Sequence, residues 1–508
     1  MRSRQSILVV SGLVSTLACN GPSAGDEIGD GDSDSSESDS GESDSGESDS
    51  GEDPLCDWGL TSGVPSELLE PEVAPDCELI PGDHDELCGD GPCPIVDDVE
   101  LHCDDIALGS GGVSAGVDAE RVYTTAQSDA GAWLISAVGD QGELEELPRL
   151  FGSSRTLLAQ APSGEVHLAA NRSEQLDGFF DSQISFLRLD QPGFVSELLH
   201  HADPNASSSM DRLEFDYEGM AHAWFTAQPF QGDKFARATR HGKRLDDASW
   251  WFSELPVTGD FAHDFALTPA GESIGFDFDF DPFELNSQLV AHACGETRTL
   301  GDPIIHDDLR VPRLPLPGPL LEGPDYLVAV RDEPGVRLLW PQGETWAAFD
   351  VPGTSPNATT CPVQACPCTQ TCHDTGVGLP GTSYAIARTS DGVVWVAWLT
   401  RENDIEWAFS PETWPSEPCH CKAEVVSDES RTTLHLGRID SALTSMVETL
   451  TMPVARAQVR PEGPTKTLDL VSYGDRLGLA ITSYEDSSAD PKGFIRLIGI
   501  DTEALPVQ

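Results

Sequence analysis

From about Ile106 onward the apolar positions come in short bursts. Segments rich in Val, Ile, Phe, Trp and Leu are separated by Gly, Pro, Asp and Asn, and none keeps a 3.6-residue apolar period over a dozen positions. This pattern predicts strands and turns, hence an all-β domain. One arrangement recurs, a turn ending in Gly followed by an apolar strand. It stands at APSGEVHLAANR (Gly164), DYEGMAHAWFTA (Gly219), TPAGESIGFDFD (Gly271), LEGPDYLVAVR (Gly323) and TSDGVVWVAWLTR (Gly392), with a looser copy at SYGDRLGLAITSY (Gly474). VDAERVYTTAQ, near Asp118, reads as an earlier copy without the glycine. The steps between the glycines are 55, 52, 52, 69 and 82 residues.

Glycine permits the positive φ of a tight turn, and the strand after it is apolar enough to be buried on both faces. Four-stranded blades of about 40–55 residues, stacked around an axis, make a β-propeller. Six or seven such blades would fill residues 106–508. The segment TSDGVVWVAWLT resembles the Asp-Gly turn and strand of exported bacterial propellers. The competing architecture is two or three tandem β-sandwich domains, whose hairpins also carry Gly turns. The two long steps contain Cys361 to Cys372 and Cys419 with Cys421, so both clusters read as stapled insertions in loops.

The first residues follow another rule. Arg2 and Arg4 precede an apolar run from Ile7 to Ala18, too short to span a bilayer as a helix. Thr16-Leu17-Ala18-Cys19 resembles the lipobox of bacterial lipoproteins, with Thr where Leu is commonest. The resemblance implies a signal peptide over 1–18, lipid on Cys19, and an exported chain anchored to the bacterial cell envelope, at the outer membrane or cell surface. Two or three acyl chains, at about 0.8 kcal/mol per buried methylene, would make the attachment stable. Residues 19–53 then form the lipidated Cys and a linker of Ser, Asp, Glu and Gly, with SDSGE units starting at Ser38, Ser43 and Ser48. Low hydrophobicity and like charges predict a disordered spacer. Its 34 residues from Asn20 to Asp53 reach about 110 Å at full extension. Calcium binding by the repeated acids is the sharper reading, and a mobile polyanion holds divalent ions only loosely.

Charge narrows the partners. The formal net charge is −58; residues 1–25 carry +2 and 26–53 carry −13, which leaves −47 on residues 54–508. With only five lysines (Lys234, Lys243, Lys422, Lys466, Lys492), no basic patch is expected and a phosphate backbone would be repelled, so no nucleic acid is expected as a partner. The expected partners are the membrane, through the N-terminal lipid, and a protein or glycan ligand.

Twelve cysteines remain after Cys19: Cys56, Cys77, Cys88, Cys93 and Cys103; Cys294; Cys361, Cys366, Cys368 and Cys372; Cys419 and Cys421. In an exported chain they read as up to six disulfides of undetermined pairing. Residues 54–105, dense in Pro, Gly and Asp, read as a small stapled knob or a flap on the main domain. Two alternatives use the same side chains. CPVQACPCTQTCH with the later CHC has zinc ligand types, including His373 and His420. Cys368-Thr-Gln-Thr-Cys372-His373 resembles a c-type haem attachment sequence with one spacer residue too many.

Candidate chemistry is sparse. Asp277, Asp279 and Asp281 alternate with Phe276, Phe278 and Phe280, which puts three carboxylates on one strand face. The expected setting is solvent, and calcium is the alternative. His222, His263-Asp264 and His306-Asp307-Asp308 are spaced at about one blade, so they could meet a divalent metal in a central channel. There is no G-x-S-x-G elbow, no P-loop and no G-x-G-x-x-G between strand and helix. Sequons at Asn171, Asn205 and Asn357 suggest exposed loops. The eleven Trp are expected mostly in the core, and a sugar-binding platform is the alternative. No cofactor is fixed, beyond a calcium or other divalent ion as candidate. The leading function is a surface-tethered extracytoplasmic binding or scaffold lipoprotein. The alternative is an extracytoplasmic propeller enzyme, a hydrolase or lyase with a divalent metal in the channel; redox work by the clustered cysteines is a weaker third.

Overall fold

Seven antiparallel sheets follow one another along the chain, each starting from an innermost strand and stepping outward. The computed structural model describes residues 59–62, 64–65, 77–82, 93–104, 114–128, 131–146, 153–176, 179–188, 195–201, 206–229, 238–245, 249–255, 264–281, 286–293, 296–304, 309–332, 335–343, 345–354, 371–378, 383–414, 417–428, 431–454, 467–487 and 490–505. The proposed signal, Cys19 and the acidic linker lie outside the described residues. The innermost strands are, in order, Ala115–Val117, Ser153–Gln160, Ala206–Phe215, Asp264–Leu267, Leu309–Arg310, Tyr384–Arg388 and Leu468–Tyr473.

The sheets form a closed ring because each apolar cluster spans one pair of neighbours. Tyr123 and Leu134 of the first sheet meet Leu158 and Leu168 of the second. Phe186 meets Phe215 between the second and third, and Trp224 meets Phe265 between the third and fourth. Phe276 and Val330 share the next cluster, Leu338 and Trp398 the one after, and Trp395 and Leu479 the sixth. Leu497 of the seventh sheet packs with Val122 of the first, which closes the circle. The described residues therefore build a seven-bladed β-propeller. Tandem sandwiches are excluded by the same fact: a blade buries both faces, whereas a sandwich sheet buries one. The sixth blade shows it within one strand, where Trp395 points to blade seven and Trp398 to blade five.

The turn glycines do what their pattern predicts. Gly164, Gly219, Gly271 and Gly392 have φ of 93°, 84°, 81° and 83°. Each donates its N–H to the carbonyl three residues back (Ala161, Asp216, Thr268, Thr389) and joins the innermost strand to the second. Asp118 turns the first blade without glycine, its carboxylate accepting the N–H groups of Glu120 and Arg121. Gly323 is different. The innermost strand of blade five has two residues, Leu309–Arg310, and the chain leaves the sheet at Val311 to return only at Val328. Gly323 belongs to this strap, not to a hairpin.

Two expected boundaries are corrected. The described residues of 54–105 do not form a separate knob. Gly59–Ser62 adds a fifth strand to blade three and Val64–Pro65 to blade two. Ile95–Asp104 is the fourth strand of blade seven, paired with Asp490–Asp501 from the other end of the chain, and Cys77–Pro81 adds a fifth. The ring thus starts before residue 106 and is closed by pairing its two ends. Cys372, Cys419 and Cys421 are not in plain loops either. The second strand of blade six, Val394–Trp414, overshoots the ring, and its far half is flanked by Thr371–Gly378, which carries Cys372, and Glu417–Asp428, which carries Cys419 and Cys421.

Candidate functional site

Among the described residues the protein's own chain fills the central channel, leaving about 30 Å³ of free space beside Arg313 and Leu314. Arg313 reaches across it and donates to the Ala115 carbonyl (3.0 Å), Ser114 Oγ (3.1 Å) and Asp469 Oδ2 (3.5 Å). The Leu314 N–H donates to Glu214 Oε1 at 2.5 Å. Leu316 bridges in parallel to Tyr473, and its carbonyl accepts the Gly474 N–H. Further out, the Leu320 N–H donates to Tyr217 Oη and the Leu321 N–H to the Ser390 carbonyl. Arg388 clasps the strap by donating to the carbonyls of Glu322 and Pro324. Burial pulls the Arg388 guanidinium down to about 10.

The carboxylates facing this core are committed to cations of the fold. Arg212 lies 2.9 Å from both Glu214 and Asp264, and the second Asp264 oxygen accepts the Val311 N–H. Arg212 Nη1 also donates to the Val311 carbonyl at 3.0 Å, which helps offset the burial of these charges.

His222 does not face this channel. His222 is on the second strand of blade three and fully buried, outside the innermost layer. Its Nε2 faces Asp216 Oδ2 at 3.1 Å and its Nδ1 faces His241 Nε2 at 2.8 Å. Asp216 and His241 thus engage both ring nitrogens of His222. Trp224 stacks on His241 (4.8 Å) and on Phe265 of blade four (5.8 Å). His263 and His306 lie outside the described residues. Among the described residues no group of three or more His, Cys, Asp or Glu is placed to hold a metal.

Asp277 is likewise not solvent-facing. It is 3% exposed, between the buried Phe276 and Phe278, and accepts the Phe278 N–H at 2.7 Å. The second strand of a blade has no solvent face, which is why period-two alternation misleads here. Asp279 and Asp281 continue that strand opposite Gln288 and Asn286.

Cys93 and Cys372 are each disulfide-bonded, so Cys372 is not available as a zinc or haem-attachment thiol. Cys77 and Cys103 stand directly opposite in adjacent strands. Cys56, Cys88, Cys294, Cys361, Cys366 and Cys368 lie outside the described residues. Asn171, read as an exposed sequon, is a buried strand residue whose amide donates to the Ser208 carbonyl. Asn205 and Asn357 are outside the described residues. Trp133, Trp224, Trp250, Trp395 and Trp398 are core residues, as expected.

An open cleft of about 300 Å³ lies between blades two and three. The turn through Pro162 and Ser163 forms one wall and the turn through Tyr217 and Glu218 the other, with Arg244 at the side. Its floor is an aromatic stack: His167 lies 5.4 Å from Phe186 and 4.7 Å from Phe215. The Arg244 guanidinium sits over the Phe186 ring at 5.8 Å. Glu165 stands at the rim, accepting from Ser163 Oγ and 3.9 Å from His167 Nε2.

The second wall is set from beneath. Asp216 accepts the N–H groups of Glu218 and Met220, which fixes the turn carrying Tyr217. Burial pushes the Asp216 carboxyl up, but His222 and the Met220 N–H outweigh it and hold it below the usual range. Burial, with His222 and Lys243 nearby, drives His241 well below 6.5, so it stays neutral. Burial raises the Tyr217 hydroxyl to about 12. The sequence showed the turns but not the cleft, because its residues come from turns about fifty positions apart.

No protein-family model matches the chain, and no curated protein matches it. Among solved structures it is similar to virginiamycin B lyase from Staphylococcus aureus, at 11% identity and TM-score 0.35, over 78% of this chain and 99% of that one. It is similar to protein lmo1340 from Listeria monocytogenes EGD-e, at 8% identity and TM-score 0.36, over 74% and 94% of the two chains. The GH93 α-L-arabinofuranosidase of Fusarium graminearum aligns at 10% identity and TM-score 0.33, over 88% and 99%.

Proposed function

We propose that this chain is a surface-tethered, extracytoplasmic binding or scaffold lipoprotein, held by lipid on Cys19 and spaced from the membrane by the acidic linker. The observation that carries the reading is the filled channel. Where propeller enzymes commonly gather a reacting centre, this chain places its own Arg313 and Leu314, and Glu214, Asp264 and Asp469 are engaged by its own groups. The open cleft between blades two and three is the binding site of this reading. The remaining cysteines are disulfides formed on export, in line with the bonded Cys93 and Cys372.

Metal analysis of the exported, untagged protein tests it. The expected result is no stoichiometric divalent ion and the same melting temperature with and without a chelator. One ion per chain that is lost in Asp469→Asn would overturn the reading in favour of a metal enzyme.

A further inference from the structure

We propose that the cleft between blades two and three takes an organic cation, the ammonium or guanidinium group of a basic peptide or polyamine. The inference rests on the binding reading above and names the ligand class for that site.

Three observations point to this chemistry. First, the charged groups of the two facing turns are anionic. Glu165 is 46% exposed and Glu218 lies in the opposite turn, while the buried His167 stacks on rings below. Second, the aromatic floor offers no bare platform. Phe186 and Phe215 are 1% and 4% exposed, and Arg244 covers Phe186. A pyranose needs an open ring face, so a glycan is disfavoured. Arg244 already takes that ring face, so an incoming cation is held by Glu165 and Glu218 rather than by cation–π attraction. Third, the cleft belongs to a chain of charge −58, whose field draws cations from a distance and repels anions.

The wall is built to keep its shape. The Tyr217 hydroxyl accepts the Leu320 N–H of the strap, and Asp216 fixes the backbone of Glu218 from inside. A carboxylate on a turn held at both ends loses little freedom on binding.

Isothermal titration of the full chain with tetralysine, with its fully Nε-acetylated form, and with spermidine tests the proposal. Binding of at least one cation is expected, falling as salt rises, and acetylation should abolish the tetralysine signal. Binding of tetralysine alone would identify a peptide source, and binding of both cations a site for the charged group itself. The paired substitution Glu165→Gln with Glu218→Gln should weaken binding about tenfold or more. The pair Asp140→Asn with Glu143→Gln removes the same charge from exposed sites on blade one and should change it less than about twofold. Equal loss from both pairs would overturn the proposal, since it would mean diffuse attraction to a polyanion. If no cation binds but a neutral oligosaccharide does, sensitive to Arg244→Ala, the ligand class falls and the binding reading stands. If none of these probes responds to any cleft substitution, both fall.

Discussion

The guanidinium of Arg212, on the innermost strand of blade three, lies 2.9 Å from the carboxylate of Asp264 on the innermost strand of blade four. Both are buried, and Asp264 also accepts the Val311 N–H at the point where the strap enters the channel. One ion pair therefore joins two blades and starts the plug. Arg212→Met leaves Glu214 and Asp264 without their cation and should cost about 3–5 kcal/mol. Denaturant unfolding followed by Trp fluorescence measures this. A loss under about 1 kcal/mol would show that the pair is not structural.

Gly392 and Gly219 have nearly equal positive φ, 83° and 84°, in equivalent turns. A Cβ at Gly219 would meet nothing within 4 Å, whereas at Gly392 it would come within 2.5 Å of the Glu322 carbonyl oxygen on the strap. Gly219→Ala should therefore cost only the backbone strain, about 1–2 kcal/mol. Gly392→Ala should cost clearly more and should loosen the strap. Thermal melts of the two variants compare them directly, and equal losses would contradict the close approach.

Acid should weaken blade three through His241. Burial holds its folded pKa well below 6.5, so the unfolded chain binds a proton that the folded one refuses. The stability from this group is complete above about pH 6.5, its unfolded value, and declines as pH falls, by up to about 1.4 kcal/mol per pH unit. Asp216, held below its usual range, adds a loss of the same sign at lower pH. His241→Gln should flatten the slope between about pH 6.5 and 5, measured by urea midpoints across that range. An unchanged slope would show that His241 is not the titrating group.

Ring closure makes the N-terminal region indispensable. Arg496 forms a two-point pair with Asp98, at 2.8 and 2.7 Å, across the strands that join the two ends. A chain of residues 106–508 lacks Ile95–Asp104 and leaves Arg496 buried without this carboxylate. It should fail to fold, whereas residues 54–508 should give a cooperative melt. Circular dichroism of the two chains decides, and a cooperative melt of the shorter one would contradict the closure.

What the sequence revealed follows from what each feature costs in residues. The turn glycines could be read because positive φ admits few alternatives, and the run around Trp395 and Trp398 because burial on both faces needs unbroken apolar residues. The strap could not be read: it follows a strand of only two residues, Leu309–Arg310, and its Pro312, Pro315, Pro317 and Pro319 resemble any loop. The belt strand Gly59–Ser62 joins blade three by backbone pairing, which leaves little trace in side chains. Period two failed at Asp277 because a blade's inner layers have no wet side. The cleft was hidden for another reason: Glu165, Tyr217 and Arg244 have ordinary surface chemistry until the ring brings their turns together.

The plugged channel can be tested by thiol labelling of Leu314→Cys, with Leu321→Cys as the exposed counterpart. Leu314 lies in the filled channel at 7% exposure, while Leu321, seven residues on in the same strap, is 73% exposed. Under native, non-reducing conditions the cysteine at 321 should react with a maleimide promptly, and the one at 314 at least about a hundredfold more slowly, through local opening alone. Comparable rates at the two positions would mean an open channel, and the account of a ring sealed by its own chain would be contradicted.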